Sequence, residues 1–412
     1  MQKKLILASI FFTIFLDFFN LGLFYPLFTS IAFEGSGEVI TLSSSAFFKN
    51  ALFGLLISIY PLGQFLGAPF IGQLSDQYGR RKLLIVSLIG TVLTLFICTC
   101  AVYFSSLSAL LFGRFLGGIM AGNMTLAYSS LADFSLAEEK VKNFSLIPLA
   151  TGLGFASGPY LAGILANPKM YLFAGPLIPF ILAILLACFN LCLVAWKFPE
   201  THTLQLNKTP PKKYSERLTS LWKTSQKTAL KPYLWIVFLM ISANLIFVQF
   251  VGPYGFERFQ LSITQIGYLY ATIGIALTIG HLFITRQLAN RLSPRQALTG
   301  GLISLSVLLI SLLYCDNPLV FQFLTFLIML ICAVAYTNVM TLISNQAMQN
   351  QQGETMGLAV AIQSIAEFLP ALLLSMLSSF SQSIPLIAAA ASALGSFIIL
   401  QMLAKKELVT EK

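Results

Sequence analysis

Apolar runs of about twenty residues, each ended by a charge, a glycine or a proline, follow one another along almost the whole of this chain. About twenty residues is the length an α-helix needs to cross a hydrocarbon layer roughly 30 Å thick. Lipid offers the backbone no hydrogen-bond partners, so runs of this kind span as helices. They fall near 5–31, 47–72, 83–104, 107–130, 143–166 and 171–196, and again near 232–254, 264–285, 297–315, 318–342, 357–380 and 384–404. With 57% hydrophobic and only 10% charged residues, the chain lies outside the soluble globular class. The expectation is an all-α integral membrane protein of twelve transmembrane helices in two pseudo-symmetric six-helix bundles.

The net charge of +10 raises the question of an anionic partner, and the placement of the basic residues answers it. Lys3, Lys4, Arg80, Arg81, Lys82, Lys140, Lys142, Arg286, Arg291, Arg295, Lys405, Lys406 and Lys412 lie on alternate connections, with eight more in 197–231. The opposite side holds Lys49, Lys169 and Arg258. Such asymmetry orients a membrane protein, here with both termini cytoplasmic, and implies no nucleic-acid partner. The first apolar stretch carries Asp17 and Asn20 and is too long for a signal core, so it reads as an uncleaved span. The cysteines, 98, 100, 188, 192, 315 and 332, fall within or beside apolar runs without histidine neighbours, and read as packing residues rather than metal ligands.

One long polar connection divides six spans from six. The domain reading is therefore 1–196, a linker at 197–231, and 232–412. Two such halves are a common plan for transporters, with the substrate site between them. Pairs of glycines four apart, at 63 and 67, 113 and 117, 118 and 122, and 154 and 158, predict close helix approach.

After the second span comes Gly72-Gln73-Leu74-Ser75-Asp76-Gln77-Tyr78-Gly79-Arg80-Arg81-Lys82, read here as a tight basic loop. Its glycines suit a sharp turn, and Asp76 at a helix end suits pairing with an arginine or a helix N-terminus. Topology alone explains three basic residues but not this spacing. Gly72, Asp76, Gly79, Arg80 and Arg81 are thus candidates for a cytoplasmic gate. The pattern resembles the loop signature of the major facilitator superfamily, Gly-x-Leu-x-Asp-x-x-Gly-Arg-Arg/Lys. The corresponding stretch of the second half, 285–295, keeps the basic residues without the acid and glycines. Span four, from Gly113-Arg114 to Gly122, is similar to the superfamily's Arg-x-x-x-Gly-x-x-x-Ala/Gly pattern. Span five, Gly154-Phe155-Ala156-Ser157-Gly158-Pro159-Tyr160-Leu161-Ala162-Gly163, resembles the motif of its twelve-helix drug:proton antiporter branch, with Ala162 in place of a glycine. Gly154, Gly158, Pro159 and Gly163 are read as a helix-bend motif whose smooth surface seals the halves.

Asp17, Arg114 and Glu367 fall inside spans, where insertion of each charge costs about 2.5–3.5 kcal/mol, so a role is implied. A carboxyl group away from water takes up a proton near neutral pH, which makes Asp17 and Glu367 candidate proton carriers; Arg114 stays charged and suits a controlling counter-charge. Substrate-cavity candidates are Asn20, Tyr25, Gln64, Asn123, Asn244, Gln249, Tyr336, Asn338 and Gln363. No Gly-Lys dipeptide occurs, so a Gly-x-x-x-x-Gly-Lys phosphate loop is absent, and His202 and His281 lack metal-hydrolase spacing. The expected function is secondary active transport by alternating access: a proton-coupled antiporter exporting a small amphiphilic molecule or metabolite. The alternative is a proton-coupled importer of a nutrient, metabolite or metal chelate such as a siderophore. No cofactor is expected, an ion gradient, of protons, being the driving force. The partners are a small-molecule substrate and the lipid bilayer, and the resemblance implies a monomer in a bacterial inner membrane.

Overall fold

The computed structural model describes residues 2–34, 45–122, 126–127, 129–131, 143–144, 146–167, 175–200, 230–346 and 352–410. Among the described residues, twelve helices carry the apolar runs. In the first half these are α1 Gln2–Thr29, α2 Ala46–Tyr78, α3 Arg80–Tyr103, α4 Leu107–Met120, α5 Leu146–Leu165 and α6 Ile178–Lys197. In the second they are α7 Lys231–Phe259, α8 Ile263–Ala289, α9 Pro294–Leu313, α10 Pro318–Asn345, α11 Gln352–Leu377 and α12 Ser383–Thr410. A π-helical turn, Gly280–Ile284, interrupts α8. Nine of these stretches are long and apolar enough to cross a membrane among the described residues, and Leu107–Met120 and Ala361–Leu377 are shorter apolar helices.

Local chemistry explains many starts. Ser45, Ser106 and Asn317 each accept a backbone N–H from the first turn of the helix that follows, replacing a partner the helix cannot supply itself. The segment read as a basic loop differs from expectation. Helix α2 continues through Gly72 and Asp76 to Tyr78, and α3 begins at Arg80, so the turn is Gly79 alone. Gly79 has φ +96°, which a residue with a side chain adopts only under strain. One residue of unusual φ is enough to break the helix.

By contact the chain forms two units: Met1–Pro211 with Gln260–Thr278, and Lys212–Phe259 with Ile279–Lys412. In the first, α5 is gripped on two faces. A Cβ on Gly154 or Gly158 would strike the carbonyl of Phe15 or Phe19 in α1, and one on Gly22 would lie only 2.8 Å from the Pro159 ring. On its other face Gly152, Ala156 and Gly163 meet Thr278, Gly274 and Gly267 of α8. Thr264 Oγ1 donates to the Gly163 carbonyl (2.8 Å) and accepts from Asn167 Nδ2 (2.9 Å). The glycines at 63 and 67 on α2 lie against α4 in the same manner. Between lipid-soluble helices the gain comes from close packing rather than from water release, and small residues make that contact possible. Gly154, Gly158, Pro159 and Gly163 of the span-five motif are all in helix contact.

The second unit has an aliphatic core of Met240, Leu302, Ala335, Val339 and Ala359. Ser396 Oγ donates to the Ile236 carbonyl at 3.2 Å, joining α12 to α7.

Candidate functional site

The residues that carry charge into the first unit come together. Asp17 and Asn20 from α1, Thr91 and Thr94 from α3, and Arg114 from α4 line one cleft, with Phe24 and Tyr60 among its apolar walls. Arg114 is only 4% exposed. Its guanidinium carbon lies 4.0 Å from the ring centre of Phe24, 4.5 Å from that of Tyr60 and 5.2 Å from that of Phe28. Aromatic faces are negative at their centres, so these rings stabilise the buried cation by about 0.5–2 kcal/mol each. They also fix the plane of the fork, which directs its N–H groups edgewise. A permanent positive charge and a carboxylate thus share a partly apolar cleft, an arrangement that suits exchange of a proton for a ligand at one place.

Asn20 brings to the same cleft a buried Oδ1 with no hydrogen-bond partner among the described residues. Other cavity candidates lie elsewhere. Tyr25 stacks on Tyr270 with ring centres 4.9 Å apart and packs beside Phe155, tying α1, α8 and α5 together. Gln64 is half-buried on α2, its backbone N close to Gly118. Asn123 lies outside the described residues.

In the second unit a polar tract runs across four helices. Gln249 Nε2 donates to the Glu367 backbone carbonyl (2.9 Å), and the Gln249 Oε1, fully buried, has no partner among the described residues. One turn along α11 from Glu367, Gln363 accepts from the Tyr336 hydroxyl at 3.1 Å. Tyr336 stands edge-on to His281, whose Nδ1 lies 3.2 Å from Thr337 Oγ1. Asn338 donates to its own helix at Val334, and Asn244, half-buried on α7, has an Oδ1 without a partner among the described residues. His281 sits on the π-helical turn, against Tyr336 and Thr337 of α10. That turn shifts the helix phase, which no apolar periodicity reveals.

At the α2–α3 turn the side chains of Gly72 and Asp76 lie outside the described residues, while Gly79, Arg80 and Arg81 are in view. The start of α3 has no side-chain cap of its own. Glu200, three residues beyond α6, supplies one: its Oε1 accepts from the Arg80 N–H (2.8 Å) and its Oε2 from the Arg81 N–H (3.2 Å). Arg80 also bonds Ser75 through its guanidinium, and Arg81 Nη2 donates to the Ala195 carbonyl at 2.7 Å. Sequence reasoning missed Glu200. An acid immediately after a span, on a connection otherwise rich in lysine, was the available signal.

Membrane-crossing helices throughout, a charged cleft among them and a capped turn at the end of α2 define a polytopic transporter of small molecules. The sequence profile of the Major Facilitator Superfamily matches residues 7–371, and the chain belongs to that superfamily. It is 25% identical over 334 residues to the class C tetracycline resistance protein of Escherichia coli, covering 80% of this chain and 81% of that one. The class B protein of Escherichia coli is 28% identical over 347 residues, covering 81% of this chain and 80% of that protein. Among solved structures, the human organic anion transporter MFSD10 superposes with a TM-score of 0.71 at 20% identity, covering 97% of this chain and 99% of the other. The likeness in structure establishes the shared fold.

Proposed function

We propose that this protein is a proton-coupled antiporter that exports a small amphiphilic molecule by alternating access. The observation that carries the reading is the placement of Asp17 and Arg114 in one cleft, with the arginine buried. Similarity to tetracycline resistance proteins over four-fifths of the chain supports export.

In this mechanism a substrate bearing a donor or cationic group binds ionised Asp17 from the inner side. A proton arriving from the outer side neutralises the carboxylate, removes that attraction and releases the substrate. The fixed charge of Arg114 then favours loss of the proton once the cleft faces inward again. Each site state is thus occupied by proton or substrate but not by both, which is the requirement for exchange. Glu367, on α11 of the second unit, is a second carboxylate for coupling. The working halves are 1–196 and 232–412, joined by the 197–231 linker, in a monomer of the bacterial inner membrane with both termini cytoplasmic. The driving force is the proton gradient, with no cofactor.

The test uses energised inverted vesicles with a pH-sensitive dye and a panel of cationic, neutral and acidic small molecules. A compound that collapses the proton gradient with the wild type and not with Asp17→Asn is the expected result. Equal responses from both, together with accumulation of a labelled solute by intact cells, would establish import instead.

A further inference from the structure

The arginines at the α2–α3 turn and those at the α8–α9 turn are used differently. In the first half the guanidinium of Arg80 bonds Ser75 and that of Arg81 bonds the Ala195 carbonyl, so both are spent on the protein itself. In the second half Arg286, near the end of α8, and Arg291, on the turn to α9, are exposed, and neither side chain has a hydrogen bond or ion pair among the described residues. No aspartate or glutamate occurs between Arg258 and Cys315, so neither α8 nor α9 can neutralise them. Arg295 Nη2 donates to the Leu400 carbonyl of α12 at 3.3 Å, which brings the exposed Lys405, a little over a turn further along, to the same end of the second unit.

The surface of α9 next to these cations carries a second feature. Gly300, Ile303 and Val307 follow at spacings of three and four, so they share one stripe of the helix, and all are exposed. Gly300 is a gap in that stripe: a Cβ there would meet nothing within 4 Å. Packing does not call for glycine at this position, and helix propensity opposes it. Gly90 inside α3 is the contrast, since its Cβ would lie 2.5 Å from Met120 Cγ. Gly300 stands six residues beyond Pro294, the first residue of α9, which is about 9 Å along the axis. The headgroup layer on each side of a bilayer is roughly 5–8 Å deep, so the gap falls where acyl chains begin.

A guanidinium pairs with a phosphate diester through parallel N–H donors, and each uncompensated cation near a membrane surface adds to the attraction for anionic lipid. We propose that the α8–α9 turn and the end of α12 form a binding site for one anionic phospholipid, its phosphate held by Arg286, Arg291 and Lys405 and an acyl chain crossing α9 at Gly300 beside Ile303 and Val307. A free phosphate would use the cations without the apolar stripe, and a lipid of neutral headgroup the stripe without the cations. Only an anionic phospholipid uses both. Charges that serve just to orient the chain during insertion require no bound lipid, so the purified protein separates the two roles.

Native mass spectrometry of the purified full chain tests this, with dioleoylphosphatidylglycerol and dioleoylphosphatidylcholine offered at equal concentration. The wild type is expected to retain the glycerol lipid over the choline lipid by about tenfold or more, and Arg286→Gln with Arg291→Gln to bring the two within about twofold. Gly300→Leu keeps every charge and is expected to lower retention of the glycerol lipid about threefold by filling the gap. Lys82→Gln with Lys197→Gln removes the same charge from the first half and should leave the preference within about twofold of the wild type. All five positions are exposed or partly so, and none is placed in the cleft or at its gate. No preference in the wild type, a preference that survives the paired arginine variant, equal loss in the paired lysine variant, or retention unchanged by Gly300→Leu would each overturn the proposal. Displacement of the lipid by millimolar glycerol 3-phosphate would overturn it as well, leaving a site for free anions.

Discussion

The helix starts at Arg80 and at Pro294 hold corresponding places in the two halves, each opening the third helix, and they are finished in opposite ways. At Pro294 the cap is local. Ser293 Oγ accepts from the Gln296 N–H (3.3 Å), Gln296 Oε1 accepts from the Ser293 N–H (3.0 Å), and proline stands at the first helical position. At Arg80 the turn residue has no side chain, and the two exposed N–H groups are bonded by Glu200, about 120 residues further along the chain. A local cap persists for as long as its helix does. A remote cap lasts only while the end of α6 stays against the α2–α3 turn, so it can break and re-form during a transport cycle. Where the first half has the Gly-Arg-Arg turn with a remote cap, the second has a capping box: a separable contact in one half corresponds to a local one in the other.

The sharpest way to break this comparison is Gly79→Ala. The backbone at φ +96° strains any residue with a Cβ by roughly 1–3 kcal/mol, and the new methyl group would run into the Glu200 carboxylate. Transport per inserted molecule is expected to fall by about tenfold or more, since about 1.4 kcal/mol on a barrier is a factor of ten. Retention of wild-type flux in reconstituted vesicles would remove the α2–α3 turn from the cycle.

Glu200→Ala should come next. It strips both N–H groups of their acceptor but leaves φ undisturbed, so flux should drop by a few-fold, with about 1 kcal/mol lost in the stability of the purified protein. Glu200→Gln keeps a neutral acceptor and should fall between. Transport that responds equally to glutamine and alanine would mean that charge, and not capping, is the working property.

The smallest effect is expected at Ser293→Ala. Thermal unfolding in detergent should register about 0.5–2 kcal/mol of lost stability, while flux per folded molecule stays within about twofold of the wild type. If Ser293→Ala slowed transport as much as Glu200→Ala, the distinction between permanent and separable caps would be lost.

The unequal legibility of the two caps has a physical origin. Ser293 and Gln296 are three residues apart, and a capping box is a statement about neighbours in sequence. Glu200 is adjacent to Arg80 only after α3 and α6 have packed. The cleft divides likewise. Asp17, Arg114 and Asn20 were legible because charge and amide inside an apolar run are costly and stand out. Tyr60, Thr94 and Gly117 line the same cleft yet are ordinary residues for a membrane helix, and only their positions around Arg114 give them significance. Tyr25 illustrates the converse, a polar-tipped residue in an apolar run whose ring is taken up by stacking on Tyr270.

What the chain determines by itself is the number and placement of its membrane helices, because lipid leaves the backbone no partner but its own next turn, and that constraint is read residue by residue. Gly79 as a break point and the glycines of α5 as contact surfaces belong to the same local class. The tertiary structure alone decided that the Gln260–Thr278 part of α8 joins the first unit while the rest joins the second, that Glu200 closes the start of α3, and that Gly117 meets side chains of α2 and α3 rather than their backbone. Each of these depends on which helix surfaces meet. In a chain whose faces are nearly all apolar, that choice is made by the close fit of small residues against backbone, a property of pairs of helices and not of any one of them.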